Sequence, residues 1–200
     1  MEMIIKKASE LFFSYGVKSI SMEDVARSTG TSKKILYQTV ANKNELVNKV
    51  VDEFILYQIQ VNKQAGTTPK NAIDEVFKRS TISFSALASV NFSFFYDLEK
   101  FFPAGWKKMT AYKHTIMLPC IIQNLERGIK EGLYRADLDI PFIANIRLQQ
   151  ITAALNPLPS DKNKGVQKIM NALTEFYLYS ITNTRGRQLI KKLKTKNENQ

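Results

Sequence analysis

The stretch from Met22 to Lys43, MEDVARSTGTSKKILYQTVANK, constrains this chain more than any other. It reads as a helix, a tight turn, a second helix and the start of a third. Val25 and Ala26 are the apolar positions of the first helix. Gly30 follows Ala26 by four residues. It sits where the backbone must turn sharply, a conformation Gly adopts without a Cβ penalty. Ser32 can cap the next helix by accepting from its free N–H groups. Ile35, Leu36 and Val40 supply the inward side of that helix and leave Lys33, Lys34, Tyr37 and Gln38 outside. Two short helices at a steep angle about a Gly turn, the second one cationic, make a helix-turn-helix. A helical hairpin inside a core would share much of this pattern. The cationic second helix, the placement of the Gly and the position near the N-terminus favour DNA binding.

The flanks complete a small three-helix core. From Glu2 to Tyr15, Ile4, Ile5, Ala8, Leu11, Phe12 and Tyr15 share one stripe, with Lys6, Lys7 and Glu10 opposite. Gly16 ends this helix. Ser21 with Asp24 three residues on resembles a capping box. Asn42 with Glu45 starts a helix that runs to about Asn62, long enough to link the small core to whatever follows. The formal net charge of +11 and pI near 9.6 attract phosphate polyanions. A single cysteine, Cys120, makes no intrachain disulfide, and a single histidine, His114, builds no His-rich metal site. No long apolar run and no signal-peptide core are present, so a cytoplasmic protein with no membrane partner is expected.

Beyond Gly66–Pro69, where Thr68 and Pro69 are expected to start a helix, the pattern gives helices near 69–89, 91–102, 104–131, 140–155 and 164–184, and no strand. The fold class is therefore all-α. Pro103, Gly105, Gly132 and Pro157–Ser160 punctuate it. Pro119 should kink the 104–131 helix near Lys113 to Leu118. NLERGIKEG, from Asn124 to Gly132, reads as a polar helix end. The tail from Arg185 to Lys196 could form a basic amphipathic helix, but a solvated, fraying terminus is the plainer expectation.

The run ASELFFSYGVKSISMEDVARSTGTSKKILYQTVANKNELVNKVV resembles the DNA-binding domain of the TetR family of bacterial transcriptional regulators. The resemblance rests on Ala8, Leu11, Phe12, Gly16, Val25, Ala26, Gly30, Ser32, Leu36, Tyr37, Val40, Asn42, Lys43, Glu45 and Leu46 at the family's spacings. It covers about the first quarter of the chain. Val40 stands where the family usually has Phe, and Lys34 and Ile35 where smaller residues are common. GLYRADLD after Gly132 and ITNTRG ending at Gly186 are weaker echoes.

The resemblance implies a DNA-binding head, 1–46, joined by a long helix to a helical effector-binding and dimerisation domain, 47–200. It implies double-stranded DNA as partner, a homodimer, a small-molecule effector of unknown identity, and a repressor that leaves a near-palindromic operator when a largely apolar ligand binds. A regulator with a filled core and no effector is the alternative. At the head, Thr31 and Ser32 stand at the start of the recognition helix, where free N–H groups favour phosphate. Tyr37 and Lys43 match family positions that reach the DNA backbone. Lys33, Lys34, Gln38 and Thr39 are candidates for base edges. In the aromatic-rich middle, Phe84, Asn91, Phe95, Asp97, Trp106 and His114 are candidates to line a pocket. Phe142, Ile146, Ile169, Leu173, Phe176 and Tyr177, on two largely apolar helices, are candidates for the dimer face. No Gly-rich phosphate loop, Cys–His pair or metal-ligand cluster occurs, so no enzyme, catalytic residue, cofactor or metal is expected.

Overall fold

The computed structural model describes residues 1–65, 68–87, 90–154 and 166–198. Its helices are α1 (Glu2–Tyr15), α2 (Met22–Ser28), α3 (Lys33–Thr39), α4 (Lys43–Ala65), α5 (Ala72–Leu87), α6 (Phe92–Phe101), α7 (Pro103–Tyr112), α8 (Leu118–Lys130), α9 (Ile140–Ala154), α10 (Val166–Ile181) and α11 (Thr184–Glu198). A π-helical turn, Lys113–Met117, precedes α8. Among the described residues, extended pairing is limited to one bridge between Tyr134 and Thr182. The all-α expectation holds.

Two compact units emerge, Met1–Ile59 with Ser89–Tyr112, and Gln60–Ala88 with Lys113–Gln200. In the first, Ile4, Ala8 and Phe12 of α1, Met22, Val25 and Ala26 of α2 and Leu36 of α3 bury the three-helix centre. That centre is too small to enclose every apolar group around it. Phe13 of α1 and Phe54 of α4 meet Phe94 and Phe95 of α6 edge to face, Phe13 and Phe94 with centroids 4.9 Å apart. The Asn91 N–H donates to the Phe13 carbonyl at 2.7 Å. α6 and α7, from the middle of the chain, thereby belong to the body that carries the head. Tyr15, expected on the buried stripe of α1, is 64% exposed. The helix ends there, and Val17 and Ile20 of the following loop are buried in its stead.

The second unit is centred on Ile73 and Val76 of α5, Leu125 of α8, Ala144 of α9, Leu178 and Ile181 of α10, and Ile190 of α11. NLERGIKEG does end a helix, α8, at Lys130 as expected, but its start is a buried hub and not simply a polar end. The Asn124 amide donates to the Ala72 carbonyl and to Glu75, while its oxygen accepts from the Tyr134 hydroxyl at 3.0 Å. Arg127 bonds Glu75 and Glu131 and donates to the Pro69 carbonyl. Gly128 leaves room for the Tyr134 ring, which a Cβ would meet at 2.1 Å.

Pro119 acts where expected. It has no N–H to donate and its ring opposes the carbonyl four residues back, so the helix widens into the π turn at Lys113–Met117. Thr68 and Pro69 do not start a helix. α5 begins at Ala72, because the Asn71 side chain accepts from the Asp74 N–H at 2.9 Å and makes the cap. The tail does not fray along its described length. Leu189 and Leu193 pack on the core cluster and Ile190 is fully buried, so apolar burial holds α11 in place. Pro157–Ser160 lie outside the described residues.

Candidate nucleic-acid interface

The α2–α3 corner is built by local chemistry. Ser21 accepts from the Asp24 N–H at 3.1 Å and Asp24 returns the bond to the Ser21 N–H at 2.9 Å, a complete capping box. The Ser21 hydroxyl and N–H hold the Asp24 carboxyl below the usual range. α2 ends in a Schellman motif, with Gly30 N–H to the Arg27 carbonyl at 3.2 Å and Thr31 N–H to the Ala26 carbonyl at 3.0 Å. Gly30 takes φ 65°, as the turn requires. Ser32 then accepts from the Ile35 N–H and opens α3.

α3 is anchored by the fully buried Leu36 and by Val40, 2% exposed, at its C-cap. Leu36 and Val40 are four residues apart and so share one face. Ser32, Lys33, Lys34, Ile35, Tyr37 and Gln38 are exposed on the rest of the helix. Ile35 therefore departs from the inward position expected of it, and stands 49% exposed among the polar groups. Its place about 100° round from Leu36 was the signal that could have shown this. An exposed aliphatic group on such a face suits the methyl of thymine.

The polar candidates are not equally free. Lys33 Nζ lies 2.9 Å from Glu23, and Arg27 approaches the same carboxylate at 3.7 Å. The bond to Glu23 raises the Lys33 ammonium and lowers the Glu23 carboxyl. Lys34 has no carboxylate within salt-bridge distance among the described residues. The Thr39 hydroxyl is turned back to the Ile35 carbonyl at 3.1 Å. Thr31 shares a hydrogen bond with Thr29 at 2.8 Å. Tyr37 stands 48% exposed. Lys43, at the start of α4, is half-buried with its ammonium 5.8 Å from the Phe102 ring, and desolvation lowers its pKa. Glu45 completes the entry to α4, accepting from the Ala41 N–H at 2.7 Å, a bond that lowers its carboxyl.

Three of the residues expected to line a pocket, Asn91, Phe95 and Asp97, carry structural tasks. Asn91 caps α6 by accepting from the Ser93 N–H, and Phe95 packs in the aromatic cluster. Asp97, 7% exposed, accepts from the Lys18 N–H at 2.7 Å and steadies the loop between α1 and α2. Trp106 is half-buried on α7, and His114 is exposed on the π turn, in the other compact unit. The Phe84 side chain lies outside the described residues. On the second unit, Phe142 is 60% exposed, Ile146 43% and Phe176 65%, with Ile169 and Leu173 half-buried. Tyr177 faces inward at 3% exposure, 4.7 Å beneath the Arg147 guanidinium. A surface formed by this chain alone cannot present it, because its ring fills the space between α9 and α10. Among the described residues, no helix is long and apolar enough to cross a membrane.

Residues 4–50 match the family described as bacterial regulatory proteins, tetR family. A helix-turn-helix-type transcriptional regulator of Bacillus subtilis strain 168, YvaF, is 28% identical over 95 residues, covering 47% of this chain and 50% of that one. The match thus spans about half the length of that relative. A TetR-family regulator from Agrobacterium tumefaciens shares the fold with a TM-score of 0.75 at 17% identity, over 91% of this chain and 97% of that one. A regulator from Saccharomonospora viridis, solved in complex with choline, does so with a TM-score of 0.74 at 15% identity over the same shares. The head of this chain is thus similar to that family's helix-turn-helix domain, and the chain shares the fold of solved TetR-family regulators.

Proposed function

We propose that this chain is a TetR-family regulator, a homodimeric transcriptional repressor that leaves a near-palindromic operator when a small, largely apolar ligand binds its C-terminal helices. The observation that carries the DNA-binding part is the outward face of α3. Lys33, Lys34, Ile35, Tyr37 and Gln38 are displayed on a helix fixed from behind by Leu36 and Val40, inside a domain of the family. Lys34 and Gln38 suit guanine and adenine edges, Ile35 suits a thymine methyl, and Tyr37 with half-buried Lys43 suits flanking phosphates. Lys33 must leave Glu23 before it can join them.

One such helix reads few base pairs, and a two-fold dimer doubles the reading. The exposed Phe142, Ile146 and Phe176 on α9 and α10 supply an apolar face for it. α4 contributes residues to both compact units, which makes it one of the covalent links through which an effector would act. The Saccharomonospora viridis regulator holds choline on this fold, so the fold can take a small molecule. Against an effector stands the commitment of Asn91, Phe95 and Asp97 to capping and packing, which favours a filled interior around those residues.

Selection from a random duplex pool tests the reading. It should enrich two inverted half-sites about one helical turn apart or a little more. Tyr37→Ala should weaken binding to that site with dimerisation intact. Enrichment of no sequence, with binding lost at moderate salt, would reduce the head to nonspecific charge.

A further inference from the structure

The second compact unit carries a cleft of about 470 Å³ lined by Lys70, Glu131, Leu133, Arg185, Leu189 and Lys192. It lies where the chain's two weaker family echoes meet. The Asn183 side chain donates to the Gly132 carbonyl at 3.0 Å and to the Tyr134 carbonyl at 3.2 Å, and its N–H donates to the Leu133 carbonyl at 3.1 Å. Arg135 N–H bonds the Ile181 carbonyl at 2.9 Å. Asn183 also accepts from the Gly186 N–H at 3.0 Å and fixes the start of α11. The floor is therefore stitched in place by the Asn183 side chain together with backbone hydrogen bonds.

The charges do not cancel. Both Glu131 oxygens are taken, one by Arg127 Nε at 2.7 Å and the other by the Ala72 N–H at 2.8 Å. Asp74, next along α5, bonds Lys78 and the Lys70 N–H. Lys70, Arg185 and Lys192 are exposed, and among the described residues none has a carboxylate within salt-bridge distance. Arg can grip a phosphate through two parallel N–H bonds, while Lys supplies point charge. Leu133, 4% exposed, and half-buried Leu189 give the same cleft an apolar floor. Its volume falls within the range of roughly 300–1,000 Å³ usual for small-molecule sites.

We propose that this cleft binds a small organic phosphate, a phosphate-bearing head held by Arg185, Lys70 and Lys192 with an apolar arm on Leu133 and Leu189. The site stands on the second unit's own residues and does not depend on the DNA-binding reading. A bare inorganic phosphate would use the cations and leave the apolar floor wet, so the apolar arm should add affinity.

Isothermal titration of the full chain with phenyl phosphate, inorganic phosphate and phenol tests it. Phenyl phosphate should bind at one site per chain, more tightly than either fragment. Arg185→Gln with Lys192→Gln should weaken it by about tenfold or more, as loss of charge-assisted bonds does. The same charge change made at Lys6 and Lys100, outside the cleft, should leave it unaltered. No saturable binding, or equal weakening by the outside pair, overturns the proposal. So does a loss of duplex-DNA affinity in the cleft variant that matches its loss of phenyl phosphate, since the cleft would then be part of a nucleic-acid surface.

Discussion

Gly128→Ala sets two effects of opposite sign against each other. Gly128 lies within α8 and is not among the glycines with positive φ, so Ala is welcome to the backbone and gains about 1 kcal/mol in helix propensity. The added Cβ, however, falls 2.1 Å from both Cδ2 and Cε2 of Tyr134, far inside contact distance. Tyr134 is 2% exposed and donates to buried Asn124, so the ring has no slack. Partial accommodation costs about 1–3 kcal/mol, and full expulsion of the ring costs about 3–5 kcal/mol with a further ~1 kcal/mol for the hydrogen bond. Contacts at 2.1 Å exclude partial accommodation, so less the propensity gain the net should be a destabilisation of about 3–5 kcal/mol. Urea unfolding of the full chain followed by far-UV circular dichroism should show the lowered midpoint. The companion measurement is Gly128→Ala in a Tyr134→Ala background. There the clash is gone and the substitution should stabilise by up to about 1 kcal/mol. A midpoint unchanged or raised in the first case, or lowered again in the second, refutes the steric account.

Acid should weaken the head through its caps. The folded pKa values of Asp24, held by the Ser21 hydroxyl and N–H, and Glu45, held by the Ala41 N–H, lie below their ordinary ones. Their stabilisation is thus full above the unfolded values near about 4 and is lost as pH falls through the lowered folded ones. Thermal midpoints between neutral pH and about pH 3 should fall less steeply in an Asp24→Asn, Glu45→Gln variant, and an unchanged slope would show that these caps are not titrating. On the second unit, Phe142→Asp and Phe176→Asp place charge on side chains already 60% and 65% exposed, so the fold should tolerate both. Sedimentation should show a shift from dimer to monomer, and a dimer that survives both changes would move the interface elsewhere.

The head was legible because its determinants are local. The capping box at Ser21, the Schellman turn at Gly30 and the cap at Ser32 each form within a few residues, so spacing alone reveals them. Ile35 is less legible, because an aliphatic side chain in a short helix carries the mark of core while only one face of a seven-residue helix can be covered. Asp97 was invisible in a different way. Its partner is the Lys18 N–H, 79 residues away in sequence, and a lone acid in an aromatic stretch carries no mark of that bond.

Alone, the amino-acid order determined the all-α class, the helix-turn-helix, its cationic face and the break before Pro119, since each depends on periodicity, caps or a missing N–H within one or two turns. Tertiary structure decided which body each helix joined. α6 and α7 belong with the head because Phe94 and Phe95 find Phe13 and Phe54. NLERG became a buried hub as well as a helix end because Tyr134 folds back over Gly128. The basic tail became a docked helix because Ile190 found a core to fill. Burial is a property of where distant segments meet, and hydrophobic order along a chain states only which side chains need cover, not which partners will provide it.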